Sequence, residues 1–204
     1  GGAWHPNMTC EQFKEIDKDR IVEEQMNEAV VRTCPKCKTQ FMKDEGCNKM
    51  EFVQLPENIT ILPEKAFYDN YCLLNISISE KVQTIEKNCF YGCKSITSIF
   101  IPNSVTQMKD SIFAQCTQLQ SIQLPNNISE ISNNLFDYCY NLTSIHLPIS
   151  VTKINRYSFR NCQSLREIEF PENCWNIGYY SFESCYSLIS IIIIKLRKVH
   201  FKIV

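Results

Sequence analysis

A chain of 204 residues with 21 basic and 22 acidic side chains carries a formal net charge of only −1. That balance excludes nucleic acid or an anionic membrane surface as the main partner, since either would call for an excess of positive charge. Hydrophobic residues make up 44% of the chain, enough for a sizeable core, while no apolar run approaches the ~20 residues that span a bilayer and no signal-peptide pattern is present.

Residues 1–50 read as a first unit. A predicted helix over residues 11–32 sets Phe13, Ile16, Val22, Met26, Ala29 and Val30 at roughly helical spacing among many charges, so one stripe is apolar and the outer face solvated. On either side of it stand two pairs with zinc-ligand spacing, His5-x4-Cys10 and Cys34-x2-Cys37. Their four side chains suit one shared zinc; in the other reading each pair is an orphan of an incomplete domain.

The segments W-H-P-N-M-T-C at 4–10 and C-P-K-C-K-T-Q-F-M-K-D-E-G-C-N-K-M at 34–50, with the charged helix between them, resemble a RING-between-RING ubiquitin ligase. The resemblance implies that His5 and Cys10 close an in-between-RING domain and that Cys34 and Cys37 open a catalytic zinc domain. It also implies that Cys47 is the nucleophile that accepts ubiquitin as a thioester. Lys49 stands where several members carry a histidine base. The cysteine pairs that should complete the zinc sites after Cys47 are absent, and Met50-x-x-Val53-x-Leu55-Pro56 already reads as half a repeat. Residues 1–50 are therefore expected to be a truncated ligase fragment, without the E2-binding RING and inactive at Cys47.

A second unit, residues 51–194, is periodic. Phe67, Phe90, Phe113, Phe136, Phe159 and Phe182 recur every 23 residues, and Cys93, Cys116, Cys139, Cys162 and Cys185 follow three places later, with Asn70 the exception. The full unit is F-x-x-C-x-x-L-x-x-I-x-L-P. Its L-x-x-I-x-L alternates like a half-buried strand and the Pro ends it, which predicts one short strand per repeat. A second apolar pair follows each Pro, as in Val105/Met108 and Val151/Ile154. Single turns cannot bury these faces and stacked turns can, so the expected fold is a mainly β repeat solenoid with a short helical, cysteine-containing N-terminal segment. The unit resembles the BspA-like leucine-rich repeats.

Cys72 and Cys89 are irregular in this pattern and expected to be structural, whereas the five ladder cysteines occupy a repeating core position. A ladder offers each thiol two equivalent neighbours and no unique disulfide partner, and free Cys suits burial, so these are expected to be reduced. The strand alternation turns Asn75, Ser77, Ser98, Phe100, Ser121, Gln123, Ser144, His146, Glu167 and Glu169 outward, continuing through Ser190 and Ile192. Such columns form the extended face on which repeat proteins bind protein partners. By themselves they read as solvated side chains, and Glu167 with Glu169 as surface charges rather than an acid–base pair.

Residues 195–204 form a basic tail without repeat register. Two functions are expected to compete: a non-catalytic protein-interaction module, and a ubiquitin ligase acting through Cys47 with an E2 partner while the repeats select substrate. Zinc-ligand thiols and unpaired cysteines suit the reducing cytoplasm, whereas the BspA-like resemblance implies the cell surface.

Overall fold

A computed structural model describes residues 32–33, 40–41, 52–55 and 58–193. Within them the chain winds as an alternating succession of longer and shorter strands. The longer series is β3 (Phe52–Gln54), β5 (Asn75–Ser77), β7 (Ser98–Phe100), β9 (Ser121–Gln123), β11 (Ser144–His146), β13 (Glu167–Phe170) and β15 (Ser190–Ile193). Between them lie β4 (Ile61–Leu62), β6 (Thr84–Ile85), β8 (Gln107–Met108), β10 (Glu130–Ile131), β12 (Lys153–Ile154) and β14 (Asn176–Ile177). The expectation of one strand per repeat is thus corrected to two. The second apolar pair supplies the shorter strand, because its inner residue, such as Ile85 or Ile154, needs a neighbour above and below just as the longer strand does.

All pairing within the stack is parallel and offset by one repeat: Val53↔Ile76, Ile99↔Ile122, Ile145↔Ile168 on the long side, Ile85↔Met108 and Ile154↔Ile177 on the short side. Inward isoleucines are buried and their strand neighbours exposed, as alternation requires. No hydrogen-bonded pairing joins β8 to β10, and there the Ser132 hydroxyl donates to the Met108 carbonyl oxygen.

The phenylalanines make the third side. Their rings stack at 5.1 Å for Phe67–Phe90, then 5.5, 5.9, 5.3 and 5.2 Å down to Phe182, within the range in which aromatic pairs attract. The residues two before and two after each Phe have positive φ, for example Ser111 at 58° and Gln115 at 60°, and only Gly92 among these twelve is a glycine. The strain has a use. Alternating left-handed residues turn every second N–H toward the next turn, so Ser111, Phe113 and Gln115 donate to the carbonyls of Asn133, Leu135 and Asp137 at 2.9, 3.0 and 2.7 Å. At Gly92 a Cβ would meet the Asp69 carboxylate, so a substitution there requires that side chain to move.

Each ladder cysteine spans two turns. The thiols of Cys93, Cys116, Cys139, Cys162 and Cys185 donate to the carbonyl oxygens of Phe67, Phe90, Phe113, Phe136 and Phe159 at 3.0–3.2 Å. A small, weakly polar donor meets that requirement without demanding further partners. Cys72, Cys93, Cys116, Cys139, Cys162, Cys174 and Cys185 are in no disulfide. Burial pushes the thiols up, Cys93 to about 12 and Cys174 and Cys185 to about 11, with Cys116, Cys139 and Cys162 also raised. A group whose pKa is raised on folding stabilises fully below its unfolded value, roughly 8.5, and loses that contribution as pH climbs toward the folded value. Thermal melts should therefore show the stack losing stability steadily from about pH 9 upward, and Cys139→Ala should reduce the slope.

Candidate interaction face and ligase-like segment

The long strands carry the expected outward columns. Asn75, Ser98, Ser121, Ser144, Glu167 and Ser190 form one, and Ser77, Phe100, Gln123, His146, Glu169 and Ile192 the other, all exposed except the half-buried Ser190. Neighbours stand in pairing register, Ser98↔Ser121 and Phe100↔Gln123, Ser144↔Glu167 and His146↔Glu169. Thr97, Gln120 and Thr143 extend the surface by a third exposed column. The middle turns thus present uncharged hydroxyl and amide groups beside Phe100, whose ring is 49% exposed. Charge enters only where Arg166, Glu167 and Glu169 stand, so the face can recognise a partner by hydrogen bonding and one aromatic anchor rather than by bulk electrostatics.

Sequence reading missed a polar and aromatic strip beside the Phe ladder. The Asp137 carboxylate accepts a bidentate pair of hydrogen bonds from Arg160, Nε to Oδ1 at 2.9 Å and Nη2 to Oδ2 at 2.5 Å. Arg160 also lies over the rings of Tyr157 and Tyr138, at 4.5 and 5.3 Å. The hydrogen-bonded carboxylate holds the guanidinium more firmly protonated than usual. Asp137 and Arg160 are one repeat apart, each directly after a core Phe, a spacing that brings them side by side without showing that one of the charges is buried. Arg160→Ala would leave the buried Asp137 carboxylate unpaired and should cost about 3 kcal/mol in a urea titration, whereas Asp137→Asn with Arg160 intact should cost less.

In the N-terminal unit β1 (Arg32–Thr33) pairs antiparallel with β2 (Gln40–Phe41). Arg32, expected at the end of the helix, stands in β1; the rest of that helix, with His5, Cys10, Cys34, Cys37 and Cys47, lies outside the described residues. Among the described residues no cluster of His, Cys, Asp and Glu could hold a metal ion, and no helix is long and apolar enough to cross a membrane.

The sequence profile of the BspA type leucine rich repeat region, six copies, matches residues 40–149 and 129–201. This chain belongs to the BspA type leucine rich repeat family. Solved leucine rich repeat proteins have a similar fold. A leucine rich cell surface protein from Faecalibacterium prausnitzii is 28% identical with a TM-score of 0.63, the match covering 71% of this chain and 39% of that one. The leucine rich repeat protein of T. pallidum is 26% identical with a TM-score of 0.61, covering 69% of this chain and 78% of that one. Ahead of the BspA-type repeats, residues 11–54 match the RNF216 Rcat domain. Human E3 ubiquitin-protein ligase RNF216 is 43% identical over 54 residues, covering 24% of this chain and 6% of that protein. The chain therefore joins a BspA-type solenoid to an Rcat fragment, and the two matches overlap at residues 40–54.

Proposed function

We propose that this protein is a non-catalytic interaction module whose sheet face binds a protein partner, and that its Rcat segment is an inactive remnant. The observation that carries this reading is the register at the seam. Strand β3 pairs with β5 as Phe52↔Asn75 and Val53↔Ile76, so the repeat is under way five residues after Cys47. Cys47 itself precedes Cys93 by 46 residues, two full periods, which gives it the register of a ladder thiol. A zinc-bound catalytic domain needs ligands beyond its nucleophile. Every cysteine after Cys47 is part of the repeat stack, and the five ladder thiols are spent on phenylalanine carbonyls.

The proposed binding surface comprises Asn75, Ser77, Ser98, Phe100, Ser121, Gln123, Ser144, His146, Glu167 and Glu169. A partner found by proximity labelling and purified should bind the native chain, lose at least about tenfold in affinity to Ser121→Arg with Ser144→Arg, and bind Arg156→Ala normally. Equal binding by all three would move the site off the sheet face. In the second reading, favoured by the Rcat match at residues 11–54, Cys47 transfers ubiquitin from an E2 and the repeats select the substrate.

Zinc fits the N-terminal donors. Cys34 and Cys37, two residues apart, and the His5–Cys10 pair together number the four donors of a tetrahedral set, and such a metal would supply folding energy rather than chemistry. Protein purified with zinc under reducing conditions should contain one ion per chain, lost in Cys34→Ser; metal-free protein would leave the pairs as orphans. The free, buried thiols suit a reducing cytoplasm.

A further inference from the structure

The outward face of the long strands is not uniform along the stack. In one column Phe100 stands opposite Gln123 and His146 opposite Glu169. The Thr143 N–H donates to the Gln120 carbonyl at 3.3 Å, which holds these two strand pairs side by side. The column therefore runs from a ring 49% exposed, through an amide and an imidazole, to a carboxylate. Glu167 lies two residues from Glu169 on the same strand and the same face, and both are exposed. Arg166, also exposed, flanks Glu167 in the third column, so this part of the face presents one guanidinium against two carboxylates.

Resting on the reading that this face binds a protein, we infer that what it takes is an extended segment of the partner, with an apolar side chain set on Phe100 and a Lys or Arg between Glu167 and Glu169. Phe100 and Glu169 are three repeats apart, and parallel strands stand ~4.8 Å apart, which separates them by about 14 Å. An extended chain rises about 3.3 Å per residue and returns its side chains to one side every second residue, so residues i and i+4 point the same way about 13 Å apart. A segment laid along the stack thus meets the ring with one residue and the carboxylates with the fourth beyond it. Residue i+2 faces Gln123 and His146, where a polar side chain finds hydrogen-bond partners.

The basic residue specifies the partner. Closing the interface removes water from both carboxylates, and a segment without a cation there leaves that loss uncompensated.

The test selects binders to the full chain from a phage-displayed library of random linear peptides, then measures the enriched peptides, synthesised, on the native chain and on two variants. Enriched peptides should carry an apolar residue and a Lys or Arg about four positions apart. They should lose binding to Ser121→Arg with Ser144→Arg, and lose at least about tenfold to Glu167→Lys with Glu169→Lys. Exchanging the peptide's basic residue for Glu should restore affinity for the charge-reversed chain and abolish it for the native one. All four substitutions replace exposed side chains, and a thermal melt checks that each variant is folded. Peptides that lose binding to the arginine variant but lack the spaced basic residue would overturn the inference and leave the face as a protein-binding surface. Binders indifferent to the arginine variant would overturn both. A library that yields no binder would exclude a linear segment and leave the face to a folded partner.

Discussion

Replacing Phe136 with Ala should destabilise the stack by about 3–5 kcal/mol, the usual range for a fully buried Phe. Its ring has no exposed surface and lies between Phe113 at 5.9 Å and Phe159 at 5.3 Å, so truncation removes stacking on both sides and opens a cavity in the middle of the array. Its own N–H donates to the Ser158 carbonyl and its carbonyl accepts from the Cys162 thiol, which ties the backbone in place and leaves the cavity little freedom to collapse. Phe182 stacks on Phe159 at 5.2 Å and is tilted against Phe170 at 5.9 Å, but it is only partly buried. The same change there should cost less than half as much. Guanidinium titrations at equal slope compare the two directly, and equal costs would contradict a linear stack in which each turn is stabilised by its neighbours.

Much of this was legible in the chain because a repeat states its register many times. Six phenylalanines, five cysteines and the L-x-x-I-x-L strands placed the core residues, and each long strand begins where alternation predicts. The short strands were legible only as apolar pairs, since two residues carry too little periodicity to declare a strand. The hydrogen-bond ladder beside the phenylalanines was not legible. It depends on positive φ at Asn88, Ser111, Tyr157 and similar residues, where a reader of sequence looks for glycine, and the chain has only five. The Asp137–Arg160 pair escaped because charges on a solvated turn give no sign that one of them will be buried. The outward columns were readable from strand alternation; what they bind is a property of a partner and is not written in their own pattern.

The second large effect concerns Cys47, and it decides between an interaction module and a ligase. Thioester transfer requires a thiolate held beside the incoming E2–ubiquitin bond, in a geometry fixed by its surroundings. In this chain the repeat register is established by Val53 in β3, six residues beyond Cys47, and the segment from 40 to 54 answers to both family patterns. By sequence Cys47 stands two repeat periods before Cys93, so its position answers to the repeat as well as to the catalytic motif. Lys43 and Lys49 lie close enough in sequence to favour the thiolate, so alkylation of Cys47 is compatible with inertness toward ubiquitin. The most direct measurement mixes the 204-residue chain with E1, a cysteine-reactive E2 and ubiquitin and resolves the products on a non-reducing gel. No ubiquitin-linked band is expected on this chain; a band removed by reducing agent and absent from Cys47→Ala would contradict the interaction-module reading and establish the protein as a ligase.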